Sequence, residues 1–301
     1  MEKFNVLDLK NYSFNEFSQW GEDGVINKIL EIINKTDSNR WCVEFGAWDG
    51  IYLSNTCNLI KNHNFSSVLI EADKNKYKEL CNNFPSESVF KICRYVDFEG
   101  KNSLENILSE TPIPKNFDFL SIDIDGCDYF IFDSLKDYRP KIICIEYNPT
   151  IPNEVEFTQD KNFSLNQGSS ALSILNLAIQ KNYFLAHVTY SNLIFVSNDF
   201  DELFENTKLD LDAHRNDKEC KNFIFFGYDG SLISNKKEFH LRWHDLYFNV
   251  KEIQFLPKLL RKYKGSHNLV DKINFALFLL IKKPSVFFKK IISKFKKNNN
   301  E

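Results

Sequence analysis

Trp41-Cys42-Val43-Glu44-Phe45-Gly46-Ala47-Trp48-Asp49-Gly50 decides the fold of this chain. Its first five residues are a short, mostly apolar run with one acid, and the two glycines that follow permit a tight turn whose backbone can lie against a ligand. The pattern reads as a buried strand running into a turn. About twenty residues further on, Ser66 to Ile70 is a second apolar run, closed by Glu71 and Asp73. An acid there is placed to accept the two hydroxyls of a ribose. Together the two segments imply an adenosine-type cofactor on an open parallel sheet.

Working outward, Val25, Ile26, Ile29, Leu30, Ile32 and Ile33 recur at helical spacing and predict a lead-in helix before the first strand. After the glycine turn the pattern predicts a helix over 53–61, a strand over 66–71, a helix over 75–83 and a strand over 89–96 that ends at Asp97. A short helix near 104–108 precedes a fourth strand with Asp123 and Asp125 at its carboxyl end. A helix over 129–135 and a fifth strand ending in Glu146 follow, then a long irregular loop over 150–167, a helix over 169–181 and an antiparallel pair over 183–188 and 192–197. Strands alternating with helices predict a doubly wound α/β sheet, whose ligands lie at the carboxyl ends of the strands.

With 301 residues, 43% of them hydrophobic, the chain has material for one large domain with appendages or for two small ones. A net charge of −3 gives no global pull toward nucleic acid, and no nucleic-acid partner is expected. Seven cysteines without a C-x-x-C pair suggest reduced, mostly buried thiols and a cytoplasmic protein. Met1 to Asn5 offers no apolar export signal.

The glycine turn departs from G-x-G-x-x-G. Glu44 and Asp49 put negative charge where a dinucleotide pyrophosphate would sit, which disfavours NAD and favours a cofactor with a positive group. S-adenosylmethionine has that character. The expected cofactor-binding residues are Glu44 facing the ammonium, Gly46, Asp49 and Gly50 in the turn, Glu71 on the ribose, Asp97 on the adenine amino group, and Asp123 beneath the donor. Packing of the turn remains an alternative explanation for the glycines.

Five segments, read in order, carry a family resemblance: Gln19-Trp20-Gly21-Glu22-Asp23-Gly24, Glu44 to Gly50, Leu69-Ile70-Glu71-Ala72-Asp73, Ser121-Ile122-Asp123-Ile124-Asp125-Gly126-x-Asp128-Tyr129, and Ile145-Glu146-Tyr147-Asn148. From about Ser18 to Ser197 the chain resembles bacterial class I methyltransferases related to the FkbM family. The resemblance implies a Rossmann-like, mostly parallel seven-stranded sheet and O-methylation of a sugar. It also implies a nucleotide-activated sugar or a glycan of a capsule or lipopolysaccharide as the acceptor, since such chains often lie in surface-polysaccharide loci. One departure is visible: Asp125 stands where FkbM-type chains usually have Glu.

Asp123 and Glu146, at adjacent strand ends, are the leading catalytic pair. One carboxylate can act as base on a substrate hydroxyl, or the two can hold a Mg²⁺-like cation that acidifies it. Asp125 and Asp128 have a competing role as caps of the next helix. His187 is a further candidate base or ligand beside the carboxylates, whereas His214, His240 and His244 read as surface or packing residues. Two other function classes compete: a nicotinamide-dependent oxidoreductase, and a noncatalytic binding protein that keeps the cofactor fold while its basic tail recruits a membrane assembly.

The expected organisation is a lead-in helix and lid over 1–40, a methyltransferase domain over 41–200, an accessory segment over 201–250 and a basic amphipathic extension over 251–301. That extension has thirteen Lys or Arg against three Asp or Glu, interleaved with Leu, Ile and Phe. Peripheral contact with the inner membrane face, a partner interface and a solvated tail are the three readings of it. The oligomeric state is not legible.

Overall fold

The computed structural model describes residues 8–33, 39–204, 210–263 and 265–298, with side chains described as far as residue 293. Met1 to Asn5, read above, lie outside the described residues. The chain forms two compact units, Met1–Cys220 and Lys221–Glu301.

The first unit is built on seven strands: β1 (Trp41–Phe45), β2 (Ser66–Ile70), β3 (Val89–Ile92), β4 (Phe119–Ile122), β5 (Ile142–Glu146), β6 (Tyr183–Val188) and β7 (Asn192–Ser197). They lie in the order β3-β2-β1-β4-β5-β7-β6, with β7 antiparallel to both of its neighbours. This is the doubly wound, mostly parallel seven-stranded sheet expected from the sequence. The strand order reverses between β1 and β4, and a crevice opens at the carboxyl ends at such a point.

Helices cover both faces, as buried parallel strands require. Helix α1 (Glu22–Ile33), α2 (Cys57–His63) and α3 (Lys74–Asn83) lie on one side, and α4 (Leu104–Ser109), α5 (Asp128–Ser134) and α6 (Ala171–Gln180) on the other. Alternation along β1 shows the division. Val43 and Phe45 pack with Ile107, Phe132 and Ile174, whereas Cys42 packs with Val25, Ile29 and Leu59. At the amino ends of β4 and β5, Lys141 and Asp118 form a buried ion pair of 2.9 Å.

Three local departures have physical causes. Helix α2 starts at Cys57, later than its apolar spacing suggests, because Ser54, Asn55 and Thr56 are turned inward to donate hydrogen bonds to Glu44. Strand β3 stops at Ile92, since it lies at the sheet edge and has a partner on one side only. A bulge at Ala186 lets Leu185 and His187 face consecutive residues of β7, Phe195 and Ile194. It turns His187 off the face shared by Tyr183 and Leu185.

A short helix, α7 (Leu211–His214), follows in the first unit. The second unit has two small hairpins, β8 (Ile224–Phe226) with β9 (Leu232–Ser234) and β10 (Phe239–Leu241) with β11 (Leu246–Phe248). Two helices end it, α8 (Leu269–Lys282) and α9 (Pro284–Asn298). Asn268 and Asp271 start α8 with a reciprocal capping box. His240 lies in a strand and stacks on Tyr247 at 4.1 Å, so no helical pairing with His244 arises.

Candidate active site

The glycine turn is held by acids at both of its ends. Buried Glu44 accepts hydrogen bonds from Ser54 Oγ (2.6 Å), Thr56 Oγ1 (2.7 Å) and the Asn55 N–H (2.9 Å). Burial raises its pKa and these bonds oppose the rise. At the end of β2, Glu71 accepts from the Trp48 N–H (2.8 Å) and the Asp73 N–H (2.6 Å), so it ties the turn to the second strand. Asp49 caps the turn from within, accepting from the N–H groups of Ile51 and Tyr52.

The two glycines have different reasons. Gly46 has φ +68°, and a Cβ there would lie 2.5 Å from the Asp123 carbonyl oxygen. Only glycine lets the turn close on the end of β4. A Cβ on Gly50 would strike Leu80 and Phe84 of the α3 region at 2.5 Å, which makes packing its visible constraint. Asp97 lies beyond the end of β3, where its carboxylate accepts from the Phe98 N–H.

The expected carboxylates do meet. One carboxylate oxygen from each of Asp123, Asp125 and Glu146 lies within 4.8 Å of the others. Among the described residues no Lys, Arg or His is paired with any of the three. Solvent reaches Asp123 and Asp125 across the mouth of the crevice, and Glu146 is half-buried. Desolvation, then repulsion from neighbouring acids, raises the pKa of both Asp123 and Glu146.

Asp128 is the buried brace of this group. It accepts from the Ile124 and Gly126 N–H groups at 2.9 Å each and so shapes the turn that carries Asp125 at φ +57°. It does not cap the helix as expected: Cys127 stands at the N-cap of α5 with no side-chain hydrogen bond, and Asp128 turns back onto the preceding turn instead.

Such a bowl suits a ligand that brings positive charge. The close approach at Gly46 leaves backbone facing the crevice, and the uncompensated acids match a sulfonium or ammonium group. Three hard oxygen donors within 4.8 Å of one another also suit a divalent cation of the Mg²⁺ type.

The irregular segment between β5 and α6 is fastened to this crevice by residues that sequence reasoning missed. Gln159 is buried, accepts from the Gln167 and Gly168 N–H groups, and donates to the Leu165 carbonyl and Cys127 Sγ. Phe163 stacks on Phe98, with ring centroids 4.3 Å apart. Arg215 donates to the carbonyls of Pro149 and Ile151 and to Asn153 Oδ1, and lies 5.0 Å from the Tyr147 ring centre. A polar anchor in an irregular loop has no periodic signature.

The N-terminal segment closes against the other side of the sheet end. Asp23 Oδ2 accepts three N–H groups, from Glu16, Phe17 and Ser18. Buried Glu22 accepts from Thr189 Oγ1 and Asn192 Nδ2 of the β6–β7 hairpin, and Trp20 packs on Tyr190 with ring centroids 4.7 Å apart. His187 is not brought to the carboxylates. Strand β7 separates β6 from β5, and the His187 ring meets His214, 6.0 Å away. Burial and His214 lower its pKa to about 4, so at neutral pH it is uncharged.

A cavity of about 660 Å³ lies elsewhere, lined by Asn11, Tyr12, Asn27, Lys28, His63 and Phe65. Phe65 precedes β2, so this cavity is at the amino ends of the strands. Its position excludes it from the carboxylate chemistry.

Residues 100–183, from α4 through β4, α5, β5 and α6, match the family described as Methyltransferase FkbM domain. No curated protein sequence matches the chain. Among solved structures it is similar to M. capricolum TrmK in complex with the natural cofactor product S-adenosyl-homocysteine. That similarity has 14% identity and a TM-score of 0.34, and covers 56% of this chain and 68% of that one. It is also similar to an S-adenosylmethionine-dependent methyltransferase from Clostridium acetobutylicum, with 9% identity, 60% and 92% coverage and a TM-score of 0.36. A third, a SAM dependent methyltransferase from Aquifex aeolicus, has 10% identity, 64% and 97% coverage and a TM-score of 0.34. The strand order, with β7 reversed, and the FkbM-domain match together support a methyltransferase.

Proposed function

We propose that the chain is an S-adenosylmethionine-dependent O-methyltransferase whose acceptor is a sugar hydroxyl, on a nucleotide-activated sugar or a glycan of a capsule or lipopolysaccharide. The observation that carries this reading is the uncompensated cluster of Asp123, Asp125 and Glu146 opposite the Gly46 turn. The sugar rests on the resemblance of five motifs to FkbM-type chains, and the FkbM-domain match spans two of those motifs.

S-adenosylmethionine, when bound, supplies a methyl group on a positively charged sulfur. Glu71 accepts the ribose hydroxyls, Asp97 takes the adenine amino group, and Gly46 keeps the turn free of a side chain where it closes on the end of β4. Glu44 and Asp49 hold that turn in shape toward the ammonium end. At the acceptor, Asp123 takes the hydroxyl proton while Glu146, whose pKa is pushed further up, keeps its own and stays neutral, because neighbouring carboxylates cannot all ionise. A base of raised pKa is better matched to a hydroxyl near neutral pH, and such proton transfer is worth roughly 10²- to 10⁴-fold. The loop fastened by Gln159 and Phe163 excludes water and aligns the acceptor oxygen for in-line attack.

The mutual closeness of the three carboxylates favours a second use of the cluster. Asp123 and Glu146, with Asp125, would hold a Mg²⁺-like cation that lowers the hydroxyl pKa and orients a diol. Turnover that survives chelator unchanged removes this second use and leaves the general-base reading. Isothermal titration tests the cofactor: S-adenosylhomocysteine binds and NAD does not, and Glu71→Ala weakens the binding. Asp123→Ala keeps binding and loses methyl transfer to nucleotide sugars. Absence of S-adenosylhomocysteine binding in the parent chain refutes the proposal.

A further inference from the structure

We infer that the second unit carries a docking surface for an anionic lipid bilayer, formed by the exposed apolar stripe of α8 and the lysines around it. Leu269, Val270, Ile273, Leu277, Leu280 and Ile281 recur at helical spacing and share an arc of about 120° on α8. All six are exposed, Leu269 and Ile281 by 73% and 75%. Phe275 and Phe278 are turned the other way, with the Phe278 ring 5.5 Å from Phe255. Helix α9 adds exposed Phe288 and Ile292 beside Lys289 and Lys290.

Charge selects the occupant. Residues 251–301 hold thirteen Lys or Arg and three Asp or Glu. Among the described residues of this stretch, one basic side chain, Lys262, is paired with a carboxylate, Asp271. Two copies of the stripe laid together would bring lysines of both chains into contact, which disfavours a second copy. A bilayer with anionic headgroups meets both needs, taking the apolar stripe below the headgroups and the lysines at their level.

Length fixes the mode of contact. Fourteen residues of α8 extend about 21 Å, short of the roughly 30 Å hydrocarbon core. No described helix is long and apolar enough to cross a membrane. The helix therefore lies in the interface. This inference is independent of the methyl-transfer reading.

Flotation of the full chain with vesicles of phosphatidylcholine, alone or mixed with phosphatidylglycerol, tests it. Binding is expected to the mixed vesicles alone and to weaken as salt is added. Leu277→Glu with Ile281→Glu, and separately Lys289→Glu with Lys290→Glu, should each lower the partition by about tenfold or more, with an unchanged circular dichroism spectrum. Equal binding to both vesicle types, no binding, or full binding by the Leu277→Glu/Ile281→Glu variant overturns the inference. Self-association of the parent chain that this variant abolishes assigns the stripe to a second copy and overturns it as well.

Discussion

Replacing Glu146 by Gln should make the protein more stable and less active. The carboxylate oxygens of Asp123, Asp125 and Glu146 lie within 4.8 Å of one another. Two unit charges 4.8 Å apart repel by about 3.5 kcal/mol at an effective dielectric constant of about 20, and by about 0.9 kcal/mol in bulk water. Solvent reaches the cluster, so the relief belongs to the lower part of that range, about 1–2 kcal/mol, or about 2–4 °C in Tm per kcal/mol. The gain depends on pH. The folded pKa of Glu146 is raised by desolvation and by its acidic neighbours, above an unfolded value of about 4.3. The folded state therefore holds the proton more tightly; this contribution to stability is fully present below the unfolded pKa and is lost as pH rises through the folded pKa. Thermal unfolding of both proteins in chelator, from acid to alkaline buffer, should give curves that coincide near pH 4 and diverge upward for Glu146→Gln. Parallel curves, or a variant less stable than the parent at pH 8, would show that the cluster is not electrostatically strained.

Three further substitutions test the frame around the crevice. Gly46→Ala should cost about 1–3 kcal/mol and abolish S-adenosylhomocysteine binding, because its Cβ meets the Asp123 carbonyl at 2.5 Å with φ at +68°; calorimetry and titration measure both. Gln159→Leu leaves the Gln167 and Gly168 N–H groups unpaired, at about 1–3 kcal/mol, and should raise KM for the acceptor and hasten proteolysis between residues 149 and 168. Asp23→Ala strips one acceptor from three N–H groups and should lower Tm by several degrees, about 1–3 kcal/mol, in a thermal melt.

What the chain displays in its sequence is what has a period. The apolar runs of β1, β2, β4 and β5 and the antiparallel pair β6–β7 are legible because buried strands need uninterrupted apolar residues. The acids at 71, 123 and 146 are legible because they follow those runs directly. Less legible is anything set by a partner far along the chain. Glu44 looks free in sequence, yet three donors ten to twelve residues later converge on it. Glu22 reaches Thr189 and Asn192 across the sheet, and Gln159 and Arg215 secure a loop with no regular spacing to betray them. His187 misleads for a sharper reason: simple alternation along β6 groups it with Tyr183 and Leu185, and one inserted residue reverses its face.

That same insertion at Ala186 has a consequence for the sheet as a whole. Strand β6 is an outer edge, and a straight edge offers its free N–H and C=O groups as a template for any extended chain. The bulge breaks the even spacing of those groups and increases the local twist, so a passing strand finds no continuous register to join. A residue that looks like an error in the ladder thus protects a seven-stranded sheet from growing an eighth strand borrowed from another molecule.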